Sequence, residues 1–395
     1  MKRVVAALAL SVAQWALTAA GAEPAPFAIA GAISMTGPLA GLAAGYHKGL
    51  LLWLDEVSAA GGLGGRVVEL RLEDDQSDAL ETRRIYERLS REPDVDLLIG
   101  PYGSAALASA AAVAERARRV LVNATAAASA AQSRGGRYVF QVAAPYSDYG
   151  AGALELARDA GLHRLLILAR GDLASQEAAE GLRRRALAQG FEAPPLEAFG
   201  AVARDFSAQV ARAQAAHIEA WIAFGQARDA AEMVKTFKRL DYAPRLFVAQ
   251  GAADPAFIDF VGQDAEYAIG IAPYSPRAAT PGNAEFVRAY RARWSAAPDL
   301  AAAQGYAAGK LIEQAVARAP RLDAESLRTA FAALQAETPL GAYAVDPASG
   351  GQRAARPLLV QIVKGRREVV WPARYATLRP ILPYPEWKTR RPIGE

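Results

Sequence analysis

From Phe27 onward the chain alternates short apolar runs of strand length with longer stretches in which apolar residues recur at helical spacing. Phe27 to Ile33 reads as a strand, and Tyr46 to Ala60 as a helix with Leu50, Leu54 and Val57 on one face. Gly61-Gly62-Leu63-Gly64-Gly65 ends that helix and turns the chain into a strand from Val67 to Leu72. A helix over Ala79 to Leu89, a strand from Val95 to Ile99, a helix over Ala105 to Arg118 and a strand from Val120 to Asn123 follow. Repeated units of this kind build a parallel sheet covered by helices on both faces.

The rhythm restarts after Pro145. A helix to about Ala160, a strand Leu165 to Leu168, a helix Glu177 to Gln189 and a strand Ala220 to Phe224 come first. A helix Ala230 to Leu240 and strands Leu246 to Ala249 and Tyr267 to Ile271 complete a second α/β set. Helices are then predicted over Ala284 to Trp294, over Ala301 to Ala319, and from an Asp323 N-cap to Leu334. Leu358 to Val363 and Glu368 to Val370, joined through Lys364-Gly365, form a hairpin ahead of an irregular, Pro-rich C-terminus. The fold class is therefore α/β with two doubly wound, Rossmann-like lobes.

The N-terminus changes the picture. Met1, Lys2 and Arg3 precede the apolar run Val4 to Leu17, and Ala20-Gly21-Ala22 supplies small residues where an export signal is cut, after Ala22. The run falls short of the roughly 18 apolar residues that a membrane span needs. With residues 1–22 removed, the 45 Lys and Arg become 43 against 41 Asp and Glu, a balance that gives no reason to expect nucleic acid. With no cysteine there is no disulfide, no thiolate ligand and no lipid attachment point.

Catalytic and metal patterns were sought. His47, His163 and His217 lie far apart and lack metal-ligand spacing, so surface positions are expected for them. There is no Gly-x-Ser-x-Gly elbow, phosphate-binding Gly-rich loop or His-Glu-x-x-His. The Gly61 to Gly65 cluster follows a helix and precedes a strand, the reverse of a dinucleotide cradle. Asp74, Asp75 and Asp78 read as a solvated strand end, because they do not alternate as calcium ligands do. Neither an enzyme, a cofactor nor a metal is indicated. In an open parallel sheet the place to look for a ligand is beyond the carboxyl ends of the strands, here the loops Gly100 to Ser104 and Asn123 to Ser129.

Several segments, in order and at family spacing, carry a resemblance. They are Gly31-Ala32-Ile33-Ser34-Met35-Thr36-Gly37-Pro38, Gly61 through Leu70, Glu73-Asp74-Asp75, Leu98-Ile99-Gly100-Pro101 leading to Ser104, Tyr138-Val139-Phe140-Gln141, and Gln304-Gly305-Tyr306-Ala307-Ala308. Over essentially all the chain after the signal, the sequence resembles the type I periplasmic binding proteins of branched-chain amino acid (Leu/Ile/Val-binding) ABC transporters. The resemblance implies two lobes joined by three crossovers, near Ala144 and Pro145, Ile271 to Tyr274, and Tyr343 to Asp346. It divides the chain into a first lobe of residues 23–144 plus 274–345 and a second of 145–273 plus 346–395. It also implies hinge closure on a ligand.

Carried over residue by residue, Ser104 matches the hydroxyl that meets the ligand carboxylate, with a plain helix N-cap as its compatible alternative. Thr125 and Ala127 match the contacts to the ligand's polar end. Where amino-acid binders place a carboxylate against the ligand ammonium, Val248-Ala249-Gln250-Gly251 offers Gln250 and no acid. A buried ammonium without a charged partner costs several kcal/mol, so a free α-amino acid is not expected. The family's aromatic wall falls on Leu42, Ala227 and Ala301, which implies a wider and more apolar pocket. Tyr102, Tyr149 and Gln226 are further candidate contacts, each tyrosine having core packing as its alternative.

The expected function is a periplasmic substrate-binding protein, a monomer that hands an amide, a carboxylate or a bulkier apolar compound to a membrane permease. The alternative is a ligand sensor that feeds a signalling partner, since fold alone does not separate the two.

Overall fold

The computed structural model describes residues 24–134 and 136–390. The expected export signal, Met1 to Ala22, lies outside the described residues. Five parallel strands form the first sheet: β1 (Phe27–Ile33), β2 (Val68–Asp74), β3 (Leu97–Ile99), β4 (Leu121–Asn123) and β5 (Val139–Gln141), in the order β2-β1-β3-β4-β5. Between them run α1 (Ala40–Ala59), α2 (Ala79–Leu89), α3 (Ser104–Ala117) and the single turn α4 (Ser129–Gln132). Strand side chains alternate between faces, and both faces are apolar. Phe27, Ile29 and Ile33 enter one core, while Ala30 and Ala32 enter another beside Tyr86 and Leu107.

The second sheet is built by β6 (Leu165–Arg170), β7 (Glu197–Phe199), β8 (Ala220–Phe224), β9 (Leu246–Ala249) and β10 (Ile269–Ala272). Helices α5 (Ala151–Asp159), α6 (Leu173–Ala188), α7 (Ser207–Ala215), α8 (Ala227–Arg239) and the short α9 (Pro255–Val261) surround it. The chain then supplies α10 (Asn283–Trp294), α11 (Leu300–Arg318), α12 (Ala324–Ala333) and the ribbon β11 (Ala336–Thr338) with β12 (Gly341–Tyr343). These return to the first core through Phe286, Tyr306, Leu311 and Phe331. The hairpin β13 (Leu358–Val363) and β14 (Arg366–Trp371) joins the second sheet antiparallel to β10, giving the order β14-β13-β10-β9-β8-β6-β7. Each face of this sheet has its own core: Leu165, Ile167 and Ile222 pack on one side, Leu166, Leu168 and Trp221 on the other.

Several predicted bounds move. α1 begins at Ala40, α6 at Leu173 and α8 at Ala227, each earlier than the apolar periodicity indicates. For α6 the reason is Asp172, which accepts from Ser175 N; for α8 it is a capping box closed by Asp229. The short β7, α4 and α9 carry too few residues for a period to show. The acidic strand end is corrected. Asp75 is fully buried and binds Ser34 Oγ (2.8 Å) and Ser77 N (3.0 Å), and Asp78 is the N-cap of α2. These carboxylates hold the loops after β1 and β2 and are not simply solvated. The Gly61 to Gly65 turn is as expected, with Gly61, Gly62, Gly64 and Gly65 all at positive φ.

Where the chain leaves the first sheet after β5 and re-enters the second before β13, the two crossings are bound together. Gln352 N donates to Gln141 Oε1 (3.2 Å) and Gln352 Nε2 to Val142 O (3.1 Å). Arg356 pairs with Asp148 at 2.9 Å, and Asp148 also receives Arg185 of α6. α1 and α11 meet along glycines. A Cβ on Gly49 would lie 2.1 Å from Ala302 O, and one on Gly305 would lie 2.3 Å from Tyr46 O.

Candidate functional site

The carboxyl ends of the parallel strands in both sheets carry the loops where a ligand is to be sought, and part of the expected contacts fall on or beside those loops. On the first sheet, Gly103 (φ 90°) turns the chain into α3 as its N-cap, a conformation that favours glycine. Ser104 is the first residue of α3, so the N-cap alternative is replaced. Its hydroxyl has no hydrogen-bond partner among the described residues, and the first amides of the helix have no side-chain cap. Thr125 Oγ1 accepts from Gly103 N (3.0 Å) and donates to Pro101 O (2.9 Å), which clamps the loop after β3 to the loop after β4. Ala127 is buried, and its carbonyl accepts from Tyr146 N (3.0 Å) at the start of the crossing. Tyr102 lies half-buried with its ring 6.4 Å from that of Tyr46, and burial followed by the field of Asp299 raises its phenol. Leu42, in the first turn of α1, is 59% exposed.

On the second sheet a cavity of about 670 Å³ opens between the loops after β8 and β9. Gln226, Ala227 and Gln250 line it, together with Arg228, Phe260 and Leu300. Gln226 is the N-cap of α8, and its backbone N–H donates to Asp229 Oδ2 (2.8 Å). Asp229 is buried and pairs with Arg170 at 3.2 Å. Gln250 follows directly on β9. Asp254, also on this wall, caps α9 by accepting from Ala256 N (2.8 Å).

Tyr149 is placed differently. It is buried in the second core, edge-on to Tyr146 at 5.2 Å, beside a void of about 20 Å³ that Gln304 and Pro273 also line. Burial pushes its phenol well above the usual range. Ala301 is buried in the first core next to Leu300. Gln226, Ala227 and Gln250 thus share one cavity, Tyr102, Ser104 and Thr125 cluster on the facing wall, and Tyr149 belongs to the joint behind them. Sequence reasoning missed Arg228, Phe260 and Asp254. Arg228 is hidden because the apolar periodicity starts the helix three residues too late, and the capping pair Gln226 and Asp229 is the signal that exposes it.

A side chain of the second-sheet side also reaches the first-sheet side. Glu177 of α6 accepts from the backbone N–H of Ser129 (3.0 Å) and from its hydroxyl (2.5 Å). Among the described residues no group of three or more His, Cys, Asp or Glu could hold a metal ion, and no helix is long and apolar enough to cross a membrane.

Two helix-covered sheets with a cavity among the loops at their strand ends are the architecture of a solute-binding protein. Residues 26–367 match the model of the periplasmic binding protein family, and the chain belongs to that family, one of solute-binding proteins rather than enzymes. Solved structures agree in fold. A protein from Rhodospirillum rubrum is 23% identical, with a TM-score of 0.81, and covers 87% of this chain and 100% of its own. A solute-binding protein of an ABC transporter from Rhodopseudomonas palustris BisB5, in complex with 3,4-dihydroxybenzoic acid, is 20% identical (TM-score 0.68; 93% and 100% covered). The branched-chain amino acid transporter binding protein of Streptococcus pneumoniae, in complex with isoleucine, is 21% identical (TM-score 0.63; 88% and 100% covered).

Proposed function

We propose that the protein is the periplasmic substrate-binding component of an ABC importer, capturing a small organic ligand between its lobes and presenting it to a membrane permease. It is exported with cleavage after Ala22 and acts as a monomer, without nucleic acid or cofactor. Its lobes comprise residues 23–144 with 274–345, and 145–273 with 346–395. Ser104 and the open start of α3 donate to an acceptor group of the ligand, Thr125 and Ala127 shape that wall, and Gln226 and Gln250 meet the ligand from the second lobe.

The observation that carries the ligand reading is Gln250, a neutral amide where amino-acid binders hold an acid, set in a cavity of about 670 Å³. The ligand is accordingly an amide, a carboxylate or a bulkier apolar compound rather than a free α-amino acid. The dihydroxybenzoate complex supports this range, since that relative takes an acid without an ammonium group. Mass spectrometry of ligand extracted from purified protein, paired with a thermal-shift screen, tests the reading. A neutral or acidic ligand with no response to amino acids is expected, and tight binding of leucine or isoleucine would refute it.

A further inference from the structure

The segments that form the first-lobe wall, residues 34–46, 100–114 and 123–133, contain no Asp, Glu, Lys or Arg, and the carboxylates packed on them are engaged by backbone amides, Asp74 by Met35 and Thr36 and Asp299 by Ala302. On the second-lobe side Arg170 is matched, lying 3.2 Å from Asp229 and 3.6 Å from Asp172. Two charges line the cavity itself: Asp254, which caps α9 and has no cation partner among the described residues, and Arg228. Arg228 is exposed and lies within 4.0 Å of no carboxylate among the described residues. Its guanidinium carbon sits 5.0 Å from the ring centroid of Phe260, itself 38% exposed. An arginine laid over an aromatic face is partly desolvated and held in a fixed plane, which suits it to paired hydrogen bonds with a carboxylate. Gln226 and Gln250 flank it with amide donors.

Resting on the cleft reading above, we propose that Arg228, backed by Phe260, selects ligands that carry an anionic group at their second-lobe end. The cleft then takes organic acids with an apolar body and a second hydrogen-bond acceptor, at the far end, for Ser104. This reverses the charge that an amino-acid binder presents from the same lobe.

Glutarate, adipate and terephthalate, their diamides, and leucine, isoleucine and phenylalanine make a panel for calorimetry and thermal shift on the mature protein, on Arg228→Gln, on Arg228→Lys and on Asp254→Asn. At least one acid is expected to bind while its diamide does not. Arg228→Gln should weaken that acid about tenfold to a hundredfold, and Arg228→Lys, which keeps the charge but loses the paired donors and the stacked plane, should fall between Arg228→Gln and the parent. Asp254→Asn, which retains a capping side chain and removes a negative charge from the cavity wall, should tighten acid binding, and no gain there counts against Arg228 as a loss does. Preference for a diamide or an amino acid, unchanged binding in Arg228→Gln, or loss of binding in Asp254→Asn overturns the assignment of Arg228 while leaving the cleft reading in place. Silence from the acids alone does the same. Silence from all three sets overturns the cleft reading and the inference with it.

Discussion

At the scale of single residues, a side chain's hydrogen-bond accounts separate those that hold the fold from those free to serve a ligand. Thr125 spends its hydroxyl on Gly103 and Pro101, whereas the Ser104 hydroxyl has no intramolecular partner among the described residues. Ser104→Ala should therefore leave the melting temperature of the free protein nearly unchanged. It should weaken binding of the extracted ligand by about 1 to 3 kcal/mol, the cost of one hydrogen bond to a charged group. Equal affinity by calorimetry would remove Ser104 from the site. Glu325 illustrates a purely structural account. The Tyr138 hydroxyl binds it, as do Arg118 (2.6 Å) and Arg328 (3.0 Å), and these bonds pull its carboxyl down to about 2 from an ordinary 4.5. A carboxyl depressed in the folded state stabilises above its unfolded pKa and loses that contribution as pH falls through the folded value. Glu325→Gln should accordingly be less stable than the parent at neutral pH, with the gap closing between about pH 4.5 and about pH 2 in denaturant titrations. Ser104 and Gln250 could be named from the sequence because the family resemblance points to them, Gln250 directly after β9 and Ser104 at the start of α3. Arg228 could not, because its position depends on a helix start decided by the Gln226 and Asp229 backbone exchange.

Among the elements, α1 and α11 approach so closely that the seam tolerates only glycine at several points. Besides Gly49 and Gly305, a Cβ on Gly309 would stand 2.2 Å from the Trp53 ring. Because α1 carries Leu42 and α11 begins at the cleft residue Leu300, the seam also sets how rigidly that wall is held. Gly49→Ala must force backbone apart and should cost about 1 to 3 kcal/mol, the range for overpacking a well-filled core. Urea denaturation reads this directly, and an unchanged midpoint would mean that the helices shift without cost. Strands β1, β8 and β9 match their predicted bounds because they are buried on both faces, and a continuous apolar run between polar or glycine-rich ends leaves little freedom of placement. By contrast β7, with Glu197 and Ala198 open to solvent, gives no such run, and α7 presents only Val210 and Ala213 to the core. Sequence patterns report burial, so elements that bury little are the ones they lose.

For the whole molecule, charge ties together the segments next to the passages between the sheets. Asp148, just after the first passage, pairs with Arg356, just before β13, and with Arg185 of α6. Asp148→Ala releases both arginines. It should broaden the range of interlobe angles in the free protein, seen as a larger and more heterogeneous radius of gyration by solution scattering. Ligand should restore the compact form, because a ligand touching both lobes favours the state in which it makes more contacts. The contact of Glu177 with Ser129 bears on the partner as well. A receptor whose two sheets are bridged at a corner by one of its own side chains offers its transporter an outline set partly by that bridge. Because the chain and not the cargo makes the bridge, it favours the same outline in either case. Cutting that corner with Glu177→Ala should lower idle, cargo-free ATP turnover more than it lowers transport.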